Sequence, residues 1–149
     1  MCRSEAGREG GPELINVPGG LLHWVNDPVH YLDLGGIPAA SLVDLGGSPT
    51  FWAGVTKLYA SNGALVDVRG LQLLRNIKYL YLDNNKLPEN ELMVMAGMLP
   101  QGQLECLDIR GNPGLTPSVM DALLRHGVVD RCQYVNGRRL DLDLTSIWD

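Results

Sequence analysis

The chain has 149 residues, of which 45% are hydrophobic and 19% charged, and its formal net charge is −5. This length and balance predict one globular domain that is large enough to bury a core. The acidic excess argues against nucleic acid as a partner, because phosphates attract a basic face. No apolar run approaches the roughly 18 residues that a membrane helix needs, so we expect no direct membrane insertion.

The N-terminal segment and the cysteines bear on where the protein resides. Residues 1–13 lack the apolar stretch of a secretion signal and contain acidic residues, which transit peptides avoid, so we predict a flexible leader. Residues 14–28, which include Trp24, are predicted to form an N-terminal cap. The three cysteines are an odd number and lie far apart, as expected in a reducing compartment. We therefore expect an intracellular protein, cytoplasmic or mitochondrial and not secreted; import through a cleaved transit peptide stays open.

One spacing of apolar residues recurs along the chain. It is clearest in IKYLYLDNNKL, residues 77–87, which has apolar residues at positions one, four and six, asparagine at nine and leucine at eleven. Residues 104–112 repeat this spacing, residues 55–62 and 29–34 repeat it in part, and residues 129–136 form a degenerate copy. Repeats of this length are typical of solenoids. The fourth positions are predicted at Leu32, Leu58, Leu80, Leu107 and Cys132.

The spacing has a physical explanation. Side chains alternate along a strand, so positions four and six point into one core before the chain turns away. The turning backbone leaves N–H and C=O groups without a sheet partner, and an asparagine side chain can both donate to and accept from them. We therefore predict a short strand at each fourth position and stacked, buried Asn85 and Asn112 after two of the strands. For Asn62, a place in this ladder and an exposed turn are equally compatible with the sequence.

The segments between the strands carry helix signals. Residues 41–52 are placed on the connection after the first repeat, and residues 67–75 have room for a brief helix only. The helical spacing of apolar residues predicts a helix over 89–99. Thr116 is a favourable N-cap residue and Gly127 a favourable residue beyond a C-terminus, which predicts another helix between them.

The C-terminal segment has the pattern of a hairpin. Asn136-Gly137 stands between two strand-like runs, which is a strong signal for a two-residue turn. Leucines then alternate with aspartates over residues 140–144, as in a half-buried edge strand, and Trp148 is predicted to close the flank.

The pattern LxxLxLxxNxL, which residues 77–87 match at every position, resembles the leucine-rich repeat family. The resemblance covers residues 29–136. It implies an α/β fold: a leucine-rich repeat solenoid with short parallel strands on the concave face, helices or irregular turns on the convex face, and a C-terminal hairpin as a cap. On this interpretation the repeats span 29–131 and the C-terminal cap spans 132–149.

No catalytic or metal motif accompanies the repeats. The sequence has no phosphate-binding GxxxxGK[ST], no HExxH and no CxxC. Cys106 is predicted to face outward from the sheet and is therefore considered as a nucleophile. His30, the histidine that would have to activate it, lies three repeats away, roughly 14 Å at the usual strand spacing, which is out of hydrogen-bond reach. We interpret Asp33, Asp44, Asp83 and Asp108 as solvated charges and not as calcium ligands. We therefore expect no enzymatic activity, no cofactor and no metal.

The remaining candidate is a surface on the sheet face that points away from the core. There the repeat brings together tyrosines on neighbouring strands with charged residues around them. Such a cluster is typical of a protein-binding hot spot, because tyrosine buries much area at low entropic cost. The alternative is that tyrosines favour strands and simply pack on one another. The predicted partner-binding residues are Tyr31, Asp33, Lys57, Tyr59, Tyr79, Tyr81, Asp83, Asp108 and Arg110.

Leucine-rich repeats are an architecture that serves many functions. The resemblance implies a non-enzymatic protein–protein interaction module, either an adaptor or a subunit of a larger assembly, whose partner is another protein or a multiprotein complex. Three stretches, from Trp24 through Tyr31, over residues 64–82 and over residues 104–116, are also similar to small mitochondrial leucine-rich-repeat proteins, the group of ATP synthase coupling factor B and the complex I distal membrane arm assembly protein. That resemblance implies the alternative function, a subunit or assembly factor of a mitochondrial respiratory complex or ATP synthase.

Overall fold

The structure is a computed structural model that describes residues 13–15 and 29–139. These residues form an α/β fold with one seven-stranded sheet whose strand order follows the chain. Strands β1 to β6 are parallel, and β7 runs antiparallel to β6. The strands are β1 (Glu13–Ile15), β2 (Tyr31–Asp33), β3 (Lys57–Tyr59), β4 (Tyr79–Tyr81), β5 (Cys106–Asp108), β6 (Tyr134–Val135) and β7 (Arg138–Arg139). The sequence patterns did not predict β1.

The middle residues of β2 to β5 are in register. Each strand consists of the third, fourth and fifth positions of one repeat, and the fourth positions pair with one another across the sheet. All four are completely buried, because every second side chain of a strand points to the same face. The predicted parallel register is therefore confirmed for Leu32, Leu58, Leu80 and Leu107.

The register predicted for the last copy of the repeat is wrong by three residues. Val135, and not Cys132, pairs with Leu107 and is completely buried. The reason is the turn that follows: Asn136 and Gly137 both have positive φ, 53° and 79°, as a tight hairpin requires, so the strand has to end directly before them. Cys132 lies in the preceding turn and is still buried.

Helices are present in the three connections for which the sequence predicted them, and also in the connection after β2, for which it predicted none. The connection after β2 contains a 3₁₀ helix (Leu42–Leu45) and α1 (Pro49–Ala53), and a 3₁₀ helix (Leu71–Leu73) follows β3. The predicted helix over 89–99 is α2 (Glu89–Met98), and the helix predicted after Thr116 is α3 (Pro117–Arg125).

The ends of α3 show why the local signals succeeded. Thr116 Oγ1 accepts a hydrogen bond from the backbone N–H of Val119, which is the expected N-cap bond. Gly127, beyond the C-terminus, has φ +69°, a conformation that favours glycine. Val119, Met120, Ala122 and Leu123 then form the buried side of the helix.

The two predicted asparagines are buried and fully bonded. Asn85 Nδ2 donates to the carbonyls of Ala60 and Leu82, and its Oδ1 accepts from the backbone N–H of Leu65. Asn112 repeats this arrangement one strand later. Each amide thereby satisfies the backbone of its own turn and that of the preceding one.

Asn62 does not join them. Its backbone has φ 57° and its side chain is exposed, so the open alternative is decided in favour of the turn. Gly63 occupies the ninth position of that repeat, where a Cβ would lie 2.7 Å from Asn85 Oδ1. The missing side chain leaves room for the Asn85 amide.

Several expectations lie outside the described residues: the leader up to residue 12, Trp24 in the N-terminal cap, the edge strand over 140–144, and Trp148. In the part of the chain that is described, no helix has the length and apolar character needed to cross a bilayer.

Candidate protein-binding surface

The sheet has a second face, opposite the buried leucines, formed by the third and fifth positions of the repeats. We call this surface the tyrosine face. It consists of Tyr31 and Asp33 on β2, Lys57 and Tyr59 on β3, Tyr79 and Tyr81 on β4, and Cys106 and Asp108 on β5. The parallel register places neighbouring side chains about 4.8 Å apart from strand to strand.

Three tyrosines form a continuous row across β2, β3 and β4. The ring centroids of Tyr31 and Tyr59 are 6.5 Å apart, and those of Tyr59 and Tyr81 are 5.0 Å apart. Both pairs are tilted by less than 40° and lie within the range in which aromatic rings attract one another. Tyr31 and Tyr59 are half-buried, so the row presents aromatic surface at its β2 and β3 end.

Lys57 lies inside this surface and not at its rim. Its ammonium group is 4.9 Å from the centroid of the Tyr79 ring, a cation–π contact across β3 and β4. The residue is only 8% exposed. Its contact with Tyr79 directs the ammonium towards β4.

At the β4 and β5 end of the tyrosine face, two side chains are buried. Tyr81 is 4% exposed, and its Oη lies 3.5 Å from Cys106 Sγ. Cys106 does point to this face, as predicted, but it is buried. Tyr81 and Cys106 therefore contribute to packing and present little surface to a partner.

The expectation that Asp83 and Asp108 are solvated is wrong. They are 5% and 4% exposed, respectively. Ser61 Oγ donates a 2.6 Å hydrogen bond to Asp83 Oδ1, which satisfies part of that buried carboxylate. Burial of a charge demands such partners, and the sequence pattern of the repeat gives no indication of them.

Arg110 compensates Asp108. Its Nε and Nη2 donate to the two carboxylate oxygens at 3.0 and 2.7 Å, and its backbone N–H donates to Oδ1 at 3.2 Å. The hydrogen bond to Asp108 raises the pKa of Arg110 above its usual range. The arginine side chain remains more than half exposed. Arg110 is thus the accessible member of a pair whose carboxylate is buried.

Asp33 lies at the β2 end of the tyrosine face. It is half-buried, and its Oδ1 accepts a 2.8 Å hydrogen bond from the backbone N–H of Gly35, which fixes the carboxylate. The register pairs Asp33 with Tyr59 on the neighbouring strand. Asp33 is therefore an oriented, partly accessible carboxylate beside two tyrosine rings.

The predicted binding residues thus divide into two groups. All nine belong to this face or its border. Tyr31, Asp33, Tyr59, Tyr79 and Arg110 keep accessible surface, whereas Lys57, Tyr81, Asp83 and Asp108 are buried. Ser61 also belongs to the border, but the sequence analysis did not include it among the binding residues. It lies two residues after Tyr59, and this spacing, which places both residues on the same face, was the available signal.

Within residues 29–139 no three metal-binding side chains are grouped together. Comparison with known proteins adds no identification: no family model matches the sequence, and no curated protein matches it.

Proposed function

We propose that this chain is a leucine-rich repeat solenoid that acts as a non-enzymatic protein–protein interaction module, with the tyrosine face as its binding surface. On this proposal the protein is an adaptor or a subunit of a larger assembly. The observation that carries the function is the row of Tyr31, Tyr59 and Tyr81, whose rings are in contact across three strands.

The register of the leucines supports the solenoid. Four repeats place equivalent leucines side by side on parallel strands, and the intervening chain returns each time through helices or turns on the other side of the core. Asn85 and Asn112 satisfy equivalent backbone groups in successive turns. Such repetition of both packing and hydrogen bonds is characteristic of stacked repeats.

The composition of the accessible part supports binding. Tyr31, Tyr59 and Tyr79 combine large apolar rings with polar hydroxyls, and tyrosine is enriched in binding hot spots for that reason. The ring contacts of Tyr59 with Tyr31 and Tyr81 and the contact of Tyr79 with Lys57 restrict these rings in the free protein, which lowers the entropic cost of association.

Affinity capture followed by mass spectrometry tests the proposal. We expect the wild-type protein to capture a reproducible set of partners, and Tyr59→Ala and Tyr31→Ala to lose it. The matched control is Val94→Ala, because Val94 is an apolar side chain that is 51% exposed on α2, away from the sheet. Circular dichroism must show that the variants keep the wild-type fold.

The outcome also separates the two functions that the sequence leaves open, a general protein–protein interaction module and a component of a mitochondrial complex. Subunits of a respiratory complex or of ATP synthase among the captured proteins would favour the mitochondrial alternative. Equal capture by wild type and by both folded tyrosine variants would exclude the tyrosine face as the binding surface.

A further inference from the structure

We propose that Asn62 is a site of spontaneous covalent modification, at which the side-chain amide is lost and an aspartate or isoaspartate residue remains. The chemistry needs an asparagine whose side-chain Cγ can be reached by the backbone nitrogen of the next residue. The inference is independent of the proposed function, because it depends on one turn of the chain and not on the tyrosine face.

The chain contains two Asn-Gly pairs, Asn62-Gly63 and Asn136-Gly137. Glycine after asparagine favours the reaction, because it has no side chain to obstruct its own nitrogen and its backbone reaches conformations that other residues rarely adopt. The two pairs therefore have similar intrinsic reactivity, and a large difference between them has to come from the fold.

The reaction requires no reagent other than water. The backbone nitrogen of Gly63 loses its proton and attacks Cγ of Asn62, so that a new N–C bond closes a succinimide ring. The bond between Cγ and Nδ2 then breaks, and the side-chain nitrogen leaves as ammonia with the proton that the backbone lost. Water opens the ring at either carbonyl, which gives aspartate or isoaspartate.

Asn62 is accessible to this reaction. Its side chain is exposed and forms no hydrogen bond with any residue in 13–15 or 29–139. The backbone N–H of Asn62 donates to the carbonyl of Asp83 at 3.0 Å, which holds the main chain of the bend at φ 57°. The Asn62 side chain can therefore rotate towards the nitrogen of Gly63 without breaking a hydrogen bond of its own.

Asn136 precedes a glycine as well, but its side chain is held in place. It is 5% exposed, its Oδ1 accepts a 2.9 Å hydrogen bond from the backbone N–H of Ile109, and its Nδ2 lies 3.7 Å from Met120 Sδ. Rotation towards Gly137 breaks these contacts and leaves the buried N–H of Ile109 without its partner. The reaction at Asn136 therefore requires a local opening of the folded chain, whereas the reaction at Asn62 does not.

The products differ from the original chain in ways that can be measured. Aspartate and isoaspartate each add one negative charge at residue 62. Isoaspartate also lengthens the main chain by one methylene group directly after β3, the strand that carries Tyr59.

Incubation of the folded full chain at mildly alkaline pH tests the inference. Anion-exchange chromatography separates the products by their added charge, and mass spectrometry of peptides assigns the modified position. We expect at least about tenfold more product at residue 62 than at residue 136, because local opening limits the second reaction. The same chain unfolded in guanidinium chloride is the control, in which both positions should react to a similar extent.

Asn62→Gly provides a matched variant, since glycine adopts φ 57° readily and has no amide to lose. In the folded state this variant should not form the acidic product that appears first in wild type. A smaller ratio between the two positions in folded wild type overturns the inference. It is also overturned if residue 62 stays unmodified during the time in which the unfolded chain reacts at both positions, or if folded Asn62→Gly forms the same early product.

Discussion

Tyr59 and Tyr81 are register partners on β3 and β4 whose ring centroids lie 5.0 Å apart, yet Tyr59 is half-buried and Tyr81 is 4% exposed. The two residues occupy the same position of consecutive repeats, and their different burial separates their roles. Tyr81 supports the row from inside the protein, and Tyr59 presents the supported ring to a partner.

This difference predicts different costs of truncation. Tyr81→Ala removes a buried aromatic ring and should lower the free energy of unfolding by about 3–5 kcal/mol, whereas Tyr59→Ala should lower it by about 1 kcal/mol. Urea denaturation followed by circular dichroism measures both. Equal losses for the two variants would contradict the division of roles.

The asparagines provide a second test. Asn85→Ala leaves the carbonyls of Ala60 and Leu82 and the N–H of Leu65 without their side-chain partner, in a buried place. We expect a loss of about 2–4 kcal/mol in the free energy of unfolding. Asn62→Gly is the control: Asn62 is exposed with φ 57°, which glycine adopts readily, so the substitution should change stability by less than about 0.5 kcal/mol.

Two glycines should respond in opposite directions to alanine. A Cβ on Gly63 would lie 2.7 Å from Asn85 Oδ1 and 3.2 Å from the carbonyl of Ile37, so Gly63→Ala should destabilise by about 1–3 kcal/mol. Gly97 lies exposed within α2 with no atom within 4 Å of the added methyl group, so Gly97→Ala should stabilise by about 0.5–1 kcal/mol. Thermal denaturation of both variants gives the signs directly, and a stabilised Gly63→Ala would show that the Asn85 amide does not need this space.

Asp67 should contribute a pH-dependent part of the stability. Partial burial acts to raise the pKa of Asp67, but hydrogen bonds from Ser41 and Arg69 outweigh it, so the pKa lies below the ordinary value of an aspartate. A lowered pKa means that the folded state favours the charged carboxylate. The stabilisation is therefore complete above the unfolded pKa and is lost as the pH falls through the folded value.

Unfolding by urea at a series of acidic pH values measures this effect. Between neutral pH and about pH 3, wild type should lose more stability than Asp67→Asn. Parallel curves for wild type and Asp67→Asn would refute the contribution of this residue.

The repeat pattern predicted most of the sheet. The apolar spacing indicated the register of Leu32, Leu58, Leu80 and Leu107, since a period of two places the same positions of each repeat in one core. Capping residues indicated α3, because a cap acts within one turn of the chain. The same reasoning failed in the last repeat, where spacing suggested a register centred on Cys132 and the turn at Asn136 imposed another.

The sequence was enough to predict which residues form the candidate surface, but not which of them are accessible to solvent. Alternation along the strands is enough to assign Tyr31, Tyr59 and Asp33 to one face of the sheet. Which members of the face are accessible depends on neighbours that are distant in sequence: Lys57 turns to Tyr79, and Asp83 takes its hydrogen bond from Ser61.

The order of residues along the chain was sufficient to assign most strands and helices and the sheet face of each strand residue, because those properties depend on spacing and on interactions within a turn or two. The burial of Asp83 and Asp108 and the accessibility of Asp33 could be known from the folded arrangement alone. Burial depends on how side chains from different strands fill the space around a group, and that packing is set after the strands have assembled.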